Sequence, residues 1–134
     1  MTIYVTLHVL AMSLTGCGGA GYGEVPVSGQ VTYDGQPLPN VHLSFQPVST
    51  DESGFGPGSF GRTDAEGRFE LRTVWPDALG AIPGEHRVTI SYEDPSQRPR
   101  DVVIPAEYVD GTATFQVPEA GTDQAVIALS KRKR

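Results

Sequence analysis

Apolar and polar residues alternate along most of the chain, which is the pattern of strands that bury one face. Val41, Leu43 and Phe45, for example, fall on one side of a segment whose other side is polar. No stretch has the spacing of an amphipathic helix, and turns rich in glycine and proline separate the alternating segments. Seven segments are predicted to be strands: 25–33, 41–46, 59–63, 68–73, 87–92, 113–117 and 125–129. The pattern therefore predicts an all-β chain that folds as an antiparallel seven-stranded β-sandwich.

Two short features refine this prediction. Asp64 and Gly67 bracket a tight turn, in which we expect the Asp64 side chain to bond back to the main chain and Gly67 to take a positive φ. This turn predicts a hairpin between 59–63 and 68–73. Gly29 interrupts the apolar side of the first strand, so we expect a bulge or a close backbone approach there.

The front of the chain differs from the rest. Residues 1–16 contain no Asp, Glu, Lys or Arg and are mostly apolar, which is typical of the core of a signal peptide. They end in Leu14-Thr15-Gly16-Cys17, which resembles the lipobox of bacterial lipoproteins. The resemblance implies a signal peptide at 1–16 and, at 17–24, a lipidated flexible tether whose membrane anchor is Cys17. It also implies a cell-envelope lipoprotein facing the periplasm or exterior, and Gly18 slightly favours the outer membrane.

Three segments of the body carry a second resemblance. Residues 27–41, 61–69 and 80–88 resemble carboxypeptidase regulatory-like domains, and 104–108 resembles the version found in small planctomycete lipoproteins. The resemblance implies a transthyretin-like (prealbumin-like) sandwich over 25–130 and an exported, generally non-catalytic accessory role.

Charge and cysteine content narrow the choice of partner. The basic tail, 131–134, holds four of the ten Lys and Arg residues, so the rest of the chain has a net charge of −10. An acidic body argues against nucleic acid as a partner. Cys17 is the one cysteine, so the chain has no internal disulfide. The tail itself either binds anionic groups or is a solvated terminus.

The residues that could carry catalysis or bind a metal are scattered. The three histidines are His8, which leaves with the signal peptide, and His42 and His86, which we predict to lie singly on the outward faces of different strands. This spacing does not indicate a zinc site. Asp64 and Glu66, with Asp51 and Glu52 nearby in sequence, invite a calcium interpretation. The turn alone explains that pattern, and we expect neither a metal nor a cofactor.

Aromatic residues are the better candidates for a binding surface. We expect Phe55, Phe60 and Trp75 to lie on loops at one end of the sandwich, where they could stack on sugars or enter a partner's groove. Alternatively, Trp75 closes the end of the core.

The expected function is a non-catalytic binding or structural role for a lipid-anchored envelope β-sandwich. Its partners would be the membrane, through a lipid on Cys17, and an envelope protein or polysaccharide. One alternative is a carbohydrate- or peptide-binding module that uses the loop aromatics. Another is a transthyretin-like hydrolase, although the chain ends in Ser130-Lys-Arg-Lys-Arg134 and lacks the terminal Tyr-Arg-Gly-Ser motif of those enzymes.

Overall fold

A computed structural model describes residues 23–48, 56–74 and 77–131. The described residues form ten strands in two open sheets, with only two single-turn 3-10 helices. The chain is therefore all-β, as predicted. Several of the residues predicted to be functional lie outside the described ranges: Leu14, Thr15, Gly16, Cys17, Phe55 and Trp75.

The smaller sheet is built around the first strand. β1 (Val27–Tyr33) has β10 (Thr122–Leu129) on one side, and β2 (Gln36–Pro37) and β5 (Arg68–Glu70) share its other side. β1 and β10 run parallel, whereas the other pairs are antiparallel. The prediction of a purely antiparallel sheet is therefore wrong at this pair, because the last strand returns beside the first in the same direction.

The larger sheet has six strands in the order β7–β6–β4–β3–β8–β9, all antiparallel. Its two longest strands, β3 (Val41–Pro47) and β8 (Gly84–Tyr92), pair along seven positions. The other four strands of this sheet are β4 (Ser59–Arg62), β6 (Arg72–Val74), β7 (Asp77–Leu79) and β9 (Thr114–Val117).

One hydrophobic core lies between the sheets. Phe45 of the larger sheet and Phe69 of the smaller have ring centroids 6.4 Å apart. The alternating pattern predicted this core, since Val41, Leu43 and Phe45 of β3 are fully buried. Burial of such side chains contributes roughly 1.5–3 kcal/mol each, the main stabilising term for a fold without disulfides.

The predicted hairpin is only partly correct. Ser59 and Phe60 do pair with Thr73 and Arg72. Between them, however, residues 68–70 pair with β1 in the other sheet. The chain thus crosses between the sheets and returns at Leu71, which is fully buried, so one alternating segment serves two sheets.

The details predicted for Asp64, Gly67 and Gly29 are confirmed. The Asp64 carboxylate accepts hydrogen bonds from the main-chain N–H groups of Glu66 and Arg68, both at 2.9 Å, and Gly67 has φ +72°. The pairing of β1 with β10 shifts register between Val27 and Gly29. A Cβ on Gly29 would overlap the carbonyl oxygen of Ala125, so the close approach of these two strands requires glycine.

Segment 77–84, which lies between two of the predicted strands, begins with β7, and β7 forms a short hairpin with β6. Within the described ranges, no helix has the length and hydrophobicity needed to cross a bilayer.

Candidate functional site

The candidate site lies on the solvent face of the larger sheet. The pairing of β3, β4 and β6 places His42 opposite Arg62, and Phe60 opposite Arg72. Since paired residues share a face, these four side chains all point away from the core. They surround a shallow groove of about 450 Å³.

We call this depression the outer-face groove, and the residues that define it are His42, Phe60, Arg62, Arg72, Val74 and Asp77. The rings of His42 and Phe60 lie with centroids 5.8 Å apart at 34° and form an aromatic ledge. Val74 is 69% exposed beside it, and Leu79, opposite Arg72 in the pairing, is 54% exposed. The groove therefore offers apolar surface that the fold leaves in contact with water.

Two guanidinium groups form the polar rim. Arg62 Nη1 lies 3.0 Å from Glu93 Oε2, and Arg72 Nε lies 2.6 Å from Asp77 Oδ1. The hydrogen bond from Arg72, together with its charge, lowers the pKa of the Asp77 carboxyl, and the same contact raises the pKa of Arg72. Both ion pairs are largely exposed, so they orient the rim more than they stabilise the fold.

His86 is not on an outward face, and that prediction is wrong. Strand β8 begins at Gly84 rather than at residue 87, so His86 has the same parity as Val88 and is fully buried. Its Nε2 donates a hydrogen bond to the Ile82 carbonyl oxygen at 2.7 Å. Burial lowers the pKa of His86.

The two histidines of the body therefore do not come together. His42 faces solvent from β3, and His86 faces the core from the neighbouring strand β8. In the described part of the chain, no group of three or more His, Cys, Asp or Glu side chains is placed to hold a metal ion. The Asp64 carboxylate is occupied by the turn, as described above.

Of the three aromatics predicted as a binding surface, the structure describes Phe60 alone. Phe60 lies within a strand rather than on a loop, and it is half-buried on the outer face. Sequence reasoning missed Arg72 and Val74 as neighbours of Phe60, because their proximity depends on the pairing of β4 with β6. The alternation of Arg72, Thr73 and Val74 was the available signal, since it puts the first and third on one face.

No known protein family matches the chain. Comparison with curated proteins and with solved structures likewise gives no significant match.

Proposed function

We propose that this chain is a lipid-anchored module of the cell envelope that binds a polysaccharide in its outer-face groove and does not act as an enzyme. The observation that carries the proposal is the partly exposed ledge of Phe60 and His42, bordered by Arg62 and Arg72. Apolar surface that is clustered in a groove and rimmed by polar groups is typical of a binding surface.

The groove suits a sugar better than a peptide strand. A pyranose ring has an apolar face of C–H groups that can lie on the Phe60 ring, while its hydroxyls accept hydrogen bonds from the guanidinium groups at the rim. An extended peptide would instead bind by its main chain at a sheet edge, and Phe60 lies in the interior of a six-stranded sheet. Because the groove is open, it could also bind an internal stretch of a polysaccharide and would not require a chain end.

The finer fold assignment is part of the proposal. We infer a carboxypeptidase regulatory-like, transthyretin-like sandwich, supported by two sheets around one core and by the segments quoted above. The hydrolase alternative loses support because His86 is enclosed by the core and offers no side chain to a substrate.

The membrane anchor rests on residues 14–17, and labelled fatty acid tests it. The wild-type chain should incorporate the label and Cys17→Ser should not. Label retained by Cys17→Ser would contradict anchoring through this residue, independently of what the groove binds.

A glycan and peptide screen tests the groove. The full chain carrying Cys17→Ser should bind one or more bacterial envelope glycans. Phe60→Ala should then weaken binding by at least about 1 kcal/mol, or five-fold. The matched control is Gln116→Ala, an exposed position on β9 at the far edge of the same sheet. Binding of peptides alone, or equal loss in both variants, would contradict the polysaccharide proposal.

A further inference from the structure

Besides the groove, the molecule has a second place where apolar side chains remain exposed. The large hydrophobic residues that are more than half exposed fall into two sets. Val74 and Leu79 flank the outer-face groove, whereas Val103 and Val109 line a groove beside the end of strand β10 and Val126 lies on β10 itself. The second set lies at or beside an edge of the other sheet and needs a separate explanation.

Among the described strands, β10 is also the longest at a sheet edge. It spans eight residues and pairs with β1 on one side only, whereas β7 and β9, the edges of the larger sheet, have three and four residues. Proteins usually block such an edge with lysine, proline or a covering segment. Residues 122–129 contain neither lysine nor proline.

The direction of the main chain shows which groups this edge offers. The Leu129 carbonyl oxygen accepts a hydrogen bond from Asp34 N–H, next to β1. Because successive residues of a strand direct their main-chain groups to opposite sides, Val126 and Ala128 direct theirs away from β1. No hydrogen bond joins these two residues to another segment in the described part of the chain.

The surface beside the edge is a groove of about 610 Å³ between residues 103–110 and the end of β10. Val103 and Val109, on its wall, are 53% and 64% exposed, and Val126 on the strand itself is 61% exposed. A strand laid along β10 would satisfy the free main-chain groups and cover these side chains together.

We propose that the occupant is β10 of a second copy of this chain, paired antiparallel about a two-fold axis at Ile127. In this register Val126 of each copy lies opposite Ala128 of the other, so the main-chain groups of both are satisfied. The same register brings Asp123, which lies at the irregularity in β10, near Lys131 of the second copy at both ends of the pair. Both side chains are exposed, so their opposite charges are available for this contact.

The neighbouring antiparallel register has its axis at Val126. It sets Asp123 opposite Leu129 and Lys131 opposite Gly121 of the second copy, so the two charges lie only on a diagonal. The charges therefore favour the axis at Ile127, where Asp123 and Lys131 come closest. The interface joins the two smaller sheets into one continuous sheet and leaves both outer-face grooves uncovered.

Crosslinking tests the register in the full chain with Cys17→Ser, which removes the natural thiol. Val126→Cys and Ala128→Cys should form a disulfide when mixed, because hydrogen-bonded residues opposite each other have Cα atoms about 5.5 Å apart, within disulfide reach. Each variant alone should crosslink about ten times more slowly, since its two thiols lie on a diagonal about 7–8 Å apart. Faster crosslinking of Val126→Cys alone would overturn this register.

Sedimentation velocity tests the interface itself. The Cys17→Ser chain should reach the mass of two chains, and adding Val126→Lys should return it to one, with an unchanged far-ultraviolet circular dichroism spectrum. Gln116→Lys, on edge strand β9 of the other sheet, should leave the dimer intact. The proposal would be overturned if sedimentation gave the mass of one chain at every chain concentration up to about 1 mM, where a dimer with a Kd of about 1 mM would be detected. A dimer that survives Val126→Lys would also overturn it.

A charge-reversal pair gives an independent readout. Asp123→Lys should weaken association, and the double variant Asp123→Lys with Lys131→Asp should restore it. Failure of the double variant to associate better than the single one would contradict the contact between these residues.

Discussion

Each face of the larger sheet holds one histidine–phenylalanine pair. On the inner face, the rings of Phe45 and His86 have centroids 6.0 Å apart, and both residues are fully buried. On the outer face, the rings of His42 and Phe60 are 5.8 Å apart, and both remain partly exposed.

The two pairs have similar geometry, and burial separates their roles. The ring of Phe45 also packs near those of Phe115 and Phe69, with centroids 5.7 Å and 6.4 Å away. Phe45 therefore contacts strands from both sheets. Phe60 instead lines the outer-face groove, which is open to solvent. The inner pair should therefore determine stability, while the outer pair should determine binding.

The largest expected effect is on the inner pair. Phe45→Ala should lower the free energy of unfolding by about 3–5 kcal/mol, because it leaves a cavity where the two sheets meet. Phe60→Ala should lower it by less than about 1.5 kcal/mol. Urea denaturation of both variants measures the difference. Equal losses would mean that Phe60 belongs to the core and that the comparison is wrong.

The next effect is a dependence on pH that arises from the inner histidine. Burial lowers the pKa of His86 in the folded chain, so below about pH 6.5 the unfolded chain binds a proton that the folded chain does not. Stability contributed by neutral His86 is thus complete above that pH. It is lost as the pH falls towards the folded-state pKa, at up to about 1.4 kcal/mol per pH unit.

Urea denaturation between pH 7.5 and 5 measures this slope. His86→Gln can still donate to the Ile82 carbonyl oxygen but cannot titrate, so it should flatten the slope. His42→Gln, on the other face, is the matched control and should keep it. If the pH dependence of stability disappeared in His42→Gln instead, the titrating histidine would be the outer one and this prediction would be wrong.

The smallest effect concerns the rim of the groove. Arg72→Gln should leave the urea midpoint unchanged, because the ion pair with Asp77 is exposed. The pKa of Asp77 should nevertheless rise towards its ordinary value, since the contact with Arg72 is what lowers it. Carboxyl chemical shifts during an acid titration measure this change. An unaltered Asp77 pKa would show that the rim contact does not persist in solution.

The alternating pattern predicted the strands and the core well, because successive side chains of a strand point to opposite faces and a buried face therefore has an apolar residue at every second position. Val41, Leu43 and Phe45 are all buried as expected. The turn at Asp64 and the close approach at Gly29 were also predictable, since each depends on the chemistry of one or two residues. The described residues do not test the lipobox.

Strand pairing was not predictable in the same way. The parallel pairing of β1 with β10 joins residues about 95 positions apart, as in Val27 and Thr122, and alternation within a strand does not indicate its partner. The error at His86 has a different cause. Its parity matched that of Val88, but the strand was predicted to start one residue after His86. The residues of the outer-face groove come together through strand pairing, so the sequence indicated only Phe60 among them as a binding residue.

Chemical-shift perturbation tests the central claim most directly. Amide and side-chain resonances of the Cys17→Ser chain would be followed during titration with an envelope oligosaccharide that bound in the glycan screen. The account predicts shifts at His42, Phe60 and Arg72, with Phe45 and His86 unaffected. Shifts confined to other surfaces would contradict it.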